Sequence, residues 1–314
     1  MPELPEVETL RQHLDGVARG FRVQKILVNK PRIVRPESVT AFKRLLGGQT
    51  IHHIDRRGKF LMVHLNGGSP FKPLIIHLGM SGRLFFRDRS DAFQDIPHLA
   101  VALEGDDRVL CYVDVRGFGR WTFDVSSLER MGPEPLDPDT FHPEYLQQIC
   151  RDRSVKIKDL LMHQERVAGL GNIYVNEVLF LSRLHPMRPA GTIPKPGLVV
   201  LCQAIRKTLT EAVRLGTSSD LDFEGTGRGD GFFYFGRSGQ ADREVKERFR
   251  VYGREGQPCP ACDTPILRMM ISQRGTYYCP TCQTLRLLLI LWLDGRAGRM
   301  GAELADAIPD IEDS

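Results

Sequence analysis

The chain has 314 residues, 41% of them hydrophobic, which suits about two ordinary globular domains. Its longest apolar run, Leu287 to Leu293, is far short of the roughly 20 residues needed to cross a bilayer, and its opening is neither basic nor apolar, so neither a membrane span nor an export address is expected. The formal charge of +4, from 43 basic and 39 acidic residues, is too small to argue for a polyanionic partner unless the charge is segregated along the chain.

The chain begins MPELPEVETL, with Pro2, Pro5 and the carboxylates Glu3, Glu6 and Glu8 crowded into eight residues, as in a segment held in a defined place rather than a frayed end. The charge is indeed segregated. Between Phe21 and Val63 ten Lys or Arg (Arg22, Lys25, Lys30, Arg32, Arg35, Lys43, Arg44, Arg56, Arg57, Lys59) face two acids, Glu37 and Asp55, whereas the tail from Gly301 carries five acids and no base. Such a basic run is either a solvated face or a phosphate-binding patch. Across Phe21 to Phe123, short runs rich in Val, Ile and Leu (FLMVHL, LIIHL, RVLCYVDV) alternate with turns such as NGG and EGDD, predicting antiparallel strands in a sandwich or barrel. The stretch GPEPLDPDTFHP, Gly132 to Pro143, holds four prolines and marks a domain boundary.

Beyond it the period becomes helical. Leu198, Leu201, Ile205, Leu209 and Ala212 share one face behind Pro194 and Pro196, and Asn172 to Leu181 reads as a second helix. Between two helical segments, VAGLGN (Val167 to Asn172) offers a glycine turn leading into a helix N-terminus; this is either an ordinary connection capped by Asn172 or a phosphate site. Finally, Cys259, Cys262, Cys279 and Cys282 form two C-x2-C knuckles sixteen residues apart. Two such knuckles close a tetrahedral four-thiolate site suited to one structural zinc ion, with no coordination position left for catalysis. The hairpin between them is expected to carry Gln273, Arg274 and Thr276 on its strands beside Tyr277 and Tyr278. Cys111, Cys150 and Cys202 lack partner spacing, and the odd total of seven cysteines points to a reducing cytoplasm.

MPELPEVET at the start, RRGKFL at Arg56 to Leu61, HLGMSG at His77 to Gly82, DVRGFG at Asp114 to Gly119, AGLGNIYVNE at Ala168 to Glu177, and VYGREGQPC leading into the cysteine quartet together resemble the formamidopyrimidine-DNA glycosylases. The resemblance runs from Pro2 to Gln283. It implies an α+β chain: an N-terminal antiparallel β-sandwich over residues 2–131, a linker and start of the helical domain over 132–150, a helix-two-turn-helix domain over 151–248, a zinc-finger β-hairpin over 249–283, and an extension of unknown role over 284–314. Double-stranded damaged DNA is the implied partner, bound between the domains by a monomer in the cytoplasm and its nucleoid.

The resemblance also assigns chemistry. With Met1 removed, Pro2 presents a secondary amine, substantially neutral at cellular pH because an α-amino group has a pKa near 8. It attacks C1′ of the damaged nucleotide and forms an iminium that drives β- and δ-elimination. Glu3 moves protons at the sugar, while Lys59 and Arg274 make contacts and donate protons. Phe118 wedges into the stack, and Met80 and Arg116 fill the void, Arg116 facing the orphaned cytosine. Asn172, Lys59 and Arg274 contact phosphates, and His98 and Lys158 match further DNA-binding positions. Without the resemblance, Met80 and Phe118 read as core residues. The implied activity is excision of oxidised purines followed by strand cleavage at the resulting abasic site; the alternatives are an endonuclease VIII-like preference for oxidised pyrimidines and a non-catalytic DNA-binding relative. Two departures stand out: Gly117 replaces the second arginine of the usual D-x-R-R-F-G, removing one expected contact, and the region between Leu215 and Tyr252, with GTGRGDGFFYFGRSG, is longer than usual where a lesion-covering loop is implied.

Overall fold

The computed structural model describes residues 2–66, 72–90, 94–217 and 249–285. The glycine-rich stretch at Gly225 to Gly239 and the apolar run of the tail lie outside the described residues. The chain forms two compact units.

The first unit, built from the described residues of 2–134, 164–171 and 209–217, opens with helix α1 (Leu4–Ala18). Pro5 sits in its first turn, where an imino nitrogen costs no hydrogen bond, and Glu6 lies near the positive end of the helix dipole. The Glu6 carboxylate accepts the Glu3 backbone N–H at 2.7 Å. The crowded opening is thus a helix N-terminus, and its stripe of Val7, Leu10, Leu14 and Ala18 enters the main core. Strand β1 (Lys25–Val28) and helix α2 (Val39–Leu46), capped by Ser38, follow.

Seven more strands complete two sheets: β2 (Ile51–Arg57), β3 (Phe60–Leu65), β4 (Leu74–His77), β5 (Gly82–Asp88), β6 (Leu99–Glu104), β7 (Arg108–Asp114) and β8 (Arg120–Thr122). One sheet has the order β1-β6-β7-β5 and the other β2-β3-β4-β8, with every pairing antiparallel. Leu61, Val63, Ile76 and Trp121 from one sheet share a core cluster with Leu84, Leu103, Leu110 and Tyr112 from the other. This is a β-sandwich, and the alternating burial along β5 is the signature of a strand with one face inward. A short helix α3 (Ser126–Glu129) ends the continuous part.

The second unit, residues 135–163, 172–208 and 249–285, holds α4 (Pro143–Cys150), α5 (Ile157–Met162), α6 (Asn172–Leu181) and the part of α7 (Lys195–Thr217) up to Thr208. Strands β9 (Leu267–Ile271) and β10 (Arg274–Tyr278) form its antiparallel hairpin. Helix α6 is almost wholly buried, and the polar residues that interrupt its apolar run serve the hairpin segment. The Glu177 carboxylate accepts the N–H groups of Arg250, Val251 and Tyr252 at 2.9–3.0 Å. The Asn176 side-chain oxygen accepts from Tyr277 N at 2.8 Å. Buried carboxylates and amides of this kind are costly unless every partner is supplied, so they fix one arrangement of helix and hairpin. Cys111, Cys150 and Cys202 are all buried free thiols.

Candidate active site and zinc centre

In the first unit, three segments far apart in sequence meet at the start of α1. Pro2 and Glu3 are buried, and Leu4 N donates to Gly169 O at 3.1 Å, which places the AGLG segment against the terminus. Gln164 braces that segment from within: its amide nitrogen donates to Leu170 O at 2.7 Å, and its amide oxygen accepts Gly169 N at 3.0 Å. Gly171 closes the site. A Cβ on it would lie 2.4 Å from Glu3 Oε1 and 2.6 Å from Lys59 Nζ, so the carboxylate and the ammonium converge on the point that only a glycine leaves vacant.

Lys59 follows Gly58, which adopts φ +56° in the β2–β3 turn. The turn is clamped by Glu134 from the proline-rich stretch. That carboxylate accepts Gly58 N at 2.6 Å, Arg56 Nη1 at 2.8 Å and Arg57 Nη1 at 3.1 Å. Arg56 also bonds Glu8 of α1 at 2.9 Å. Burial pushes the Glu8 carboxyl upward, but hydrogen bonds from Arg11, Arg56 and Gln12 outweigh it and hold the pKa below its ordinary value. The basic run is therefore not a uniform phosphate patch: Arg56 and Arg57 are engaged inside the protein, and Lys25 pairs with Glu104 at 3.3 Å. Lys59 itself is only 7% exposed.

Two loops of the same unit carry the expected wedge. Met80 is 42% and Phe118 55% exposed, so they are not core residues, and the Arg116 guanidinium lies 5.0 Å from the Phe118 ring centre. Asp114, fully buried, ties the loops together by accepting Gly119 N and Ser81 Oγ, each at 2.8 Å, while Ser81 Oγ accepts Arg116 N at 3.1 Å. The backbone oxygen of His98, a residue at φ +62°, accepts Asp114 N at 3.2 Å, which puts this exposed histidine beside the same loops. Burial first, then the charges of Lys59 and Arg120, push His77 down to about 4. Its neutral ring accepts Gly79 N at 3.1 Å next to Met80. Gly117 adopts φ +63°, and a Cβ there would fall 1.9 Å from Arg32 Nη2. Arg32 donates to Arg116 O at 2.8 Å, so the second guanidinium beside Arg116 comes from residue 32.

The second unit brings the remaining residues to its hairpin. Asn172 donates to Gly275 O at 3.0 Å, while its own buried side-chain oxygen has no partner. Lys158, expected at a DNA-binding position, lies beneath the hairpin. It is fully buried, with its ammonium 2.6 Å from Thr276 Oγ1 and 3.3 Å from Gly275 O, and so supports β10 from beneath instead of reaching solvent. Gln273 departs from expectation: it sits with Ser272 in the two-residue turn, both left-handed at φ +60° and +47°, rather than on a strand. Arg274 follows immediately and is exposed.

The four cysteines of this unit meet at its end. Sγ separations of 3.9 Å (Cys259–Cys282), 3.5 Å (Cys262–Cys279) and 3.4 Å (Cys262–Cys282) are close to the edge of about 3.8 Å expected for four thiolates 2.3 Å from one ion. They are positioned to bind one zinc ion. Gln283 braces the second knuckle, accepting Cys279 N and donating to Leu184 O, each at 2.9 Å.

Asp114, Gln164, Glu134, Asn176, Glu177 and Gln283 were not singled out as site residues by the sequence. For Asn176, Glu177 and Glu134 the only signal is a polar residue inside an apolar or glycine-containing motif, as in YVNEV or RMGPE.

Family profiles match three stretches of the chain: the formamidopyrimidine-DNA glycosylase N-terminal domain at residues 1–121, the formamidopyrimidine-DNA glycosylase H2TH domain at 131–223, and a zinc finger found in FPG and IleRS at 256–285. A formamidopyrimidine-DNA glycosylase of Brevibacillus brevis is 40% identical over 294 residues, covering 90% of this chain and 99% of that protein. Among solved structures, the Lactococcus lactis Fpg in complex with an abasic site containing DNA superposes with a TM-score of 0.77 at 32% identity, covering 90% of this chain and 99% of the other. The wild-type L. lactis Fpg (MutM) with an oxidised-pyrimidine containing DNA gives the same TM-score and identity, covering 90% of this chain and 100% of that one. The β-sandwich, the helical segment, the cysteine centre and these matches agree, and the chain belongs to the formamidopyrimidine-DNA glycosylase family.

Proposed function

We propose that this protein excises oxidised purines, 8-oxoguanine and formamidopyrimidines, from double-stranded DNA and then cleaves the strand at the resulting abasic site, acting as a monomer on the DNA of the cytoplasm. The observation that carries the reading is the convergence of Glu3 and Lys59 on Gly171 beside Pro2.

With Met1 removed, the Pro2 nitrogen attacks C1′ and the base departs. Glu3 handles protons at the sugar, and Lys59 donates a proton as the base is released. A secondary amine condensed with the opened sugar gives an iminium that cannot neutralise itself by losing a proton. The positive charge acidifies the C2′ proton, and elimination of the 3′ and then the 5′ phosphate follows; water returns the amine. Met80, Arg116 and Phe118 suit the task of filling the space left by the extruded base, because exposed apolar side chains on braced loops can offset unstacking. Arg274, Asn172 and His98 are proposed to contact the DNA backbone. Zinc, when bound by the four cysteines, holds the hairpin that presents Arg274 and has no open position for chemistry.

A second reading, preference for oxidised pyrimidines, draws support from the complex of the L. lactis enzyme with an oxidised-pyrimidine containing DNA. The test of the main reading is Glu3→Gln assayed on a duplex with 8-oxoguanine opposite cytosine and on one with an oxidised pyrimidine. Excision of the purine is expected to fall at least about a hundredfold with DNA binding retained. Undiminished excision by the variant removes Glu3 from the mechanism, and wild-type turnover of the pyrimidine alone favours the second reading.

A further inference from the structure

The β2–β3 ladder carries a group of side chains that the reaction above does not use. His53 pairs directly with His64 across the ladder, and Asp55 lies two residues along β2 from His53. Alternate residues on one strand and the directly opposed residue on its neighbour project from the same face of a sheet. Here that face is turned away from the buried Ile54–Val63 pair. Asp55 Oδ2 is 3.3 Å from His53 Nε2 and 3.1 Å from His64 Nε2, and one donor atom from each residue lies within 4.8 Å of the others.

We propose that His53, Asp55 and His64 form a second metal site, for a divalent transition ion such as zinc, that clips β2 to β3. Nitrogen and oxygen donors about 2.0–2.1 Å from a tetrahedral ion are separated by about 3.3 Å, matching the distances to Asp55. His64 Nε2 is shielded from water and faces Asp55 Oδ2. An ion seated between them would take the ring nitrogen and the carboxylate oxygen as two of its donors.

His52 completes the arrangement. Its Nδ1 lies 2.8 Å from His53 Nδ1. A proton on His53 Nδ1, shared with His52, leaves the His53 Nε2 lone pair directed at the site, the outer-shell device by which ligand tautomers are fixed. The rings of His53 and His64 stack at 4.1 Å and 6°, so seating the ion requires only that they splay about their side-chain torsions. Asp55 is 57% exposed at its side chain, which leaves a fourth position to water. Two imidazoles and one carboxylate favour zinc over calcium or magnesium. An ion held by the folded hairpin and not by the unfolded chain stabilises the fold by linkage, and this hairpin is the one that turns at Gly58 to present Lys59.

The test is metal stoichiometry on the full chain. Wild-type protein equilibrated in zinc-buffered solution, freed of unbound metal and analysed for zinc, is expected to hold two ions per chain, with a melting temperature that rises on occupancy of the second. Asp55→Asn and His64→Ala are each expected to weaken the second site at least tenfold, retain the cysteine-bound ion, and lose the zinc-dependent rise. One ion per wild-type chain overturns the proposal, as does a second ion bound equally well by both variants. Neither readout depends on glycosylase activity.

Discussion

Two β-hairpins of this protein each place a basic residue at a left-handed turn, and they hold it in opposite ways. In the β2–β3 hairpin Gly58 takes the positive φ, the turn is clamped by Glu134, and Lys59 is buried against Glu3 and Gly171. In the β9–β10 hairpin two residues with side chains, Ser272 and Gln273, take the positive φ, and Arg274 stands exposed. Its support comes from below, through Lys158 and Asn172 bonded to Gly275 O and through the cysteine centre at its base. The difference matches the proposed roles. A group that moves protons needs a fixed place among other reacting groups, whereas one that meets phosphate needs access to solvent and a firm base.

The comparison can be broken most severely at the closed end. Gly171→Ala introduces a methyl group at the point where Glu3 and Lys59 meet, and misplacing either group by about 1 Å is expected to lower excision on the order of a hundredfold. Lesion-duplex cleavage by the folded variant measures this, and activity near wild type would show that the two groups need no such fit. At the open end, removing zinc with a chelator is expected to weaken lesion-duplex binding about tenfold or more, because Arg274 loses the base of its hairpin. Equal binding by zinc-free protein in a fluorescence titration would disconnect the cysteine centre from DNA contact. The smallest effect is expected at the turn itself. Gln273→Gly relieves left-handed strain that costs a non-glycine residue roughly 1–2 kcal/mol, partly offset by the greater freedom of glycine in the unfolded chain. A net gain of about 0.5 kcal/mol, read as a slightly higher melting temperature, is the outcome; a clear loss would mean that the Gln273 side chain is itself structural.

What the sequence disclosed follows the range over which each feature is encoded. The zinc knuckles, the strands FLMVHL and RVLCYVDV, and helix Asn172 to Leu181 depend on neighbours a few residues away, so spacing and period were sufficient. The supports were not legible, because their partners lie far along the chain: Glu134 reaches Gly58 across 76 residues, and Asn172 reaches Gly275 across 103. The burial of Lys158 was likewise not legible, since a lysine is buried only where its ammonium meets partners such as this hydroxyl and carbonyl, which lie more than a hundred residues away. Gly117 shows the same limit. Its missing side chain suggested a lost contact, but the vacated space holds the guanidinium of Arg32, which lies far earlier in the chain and comes into view only once the sandwich is folded.

The most direct test of the proposed chemistry is borohydride trapping on a duplex containing 8-oxoguanine opposite cytosine, with mass spectrometry of the adduct. The account predicts a covalent enzyme–DNA species attached through the nitrogen of Pro2 in chains that have lost Met1. Stable binding of the duplex with no adduct, or an adduct on a lysine side chain, would contradict it.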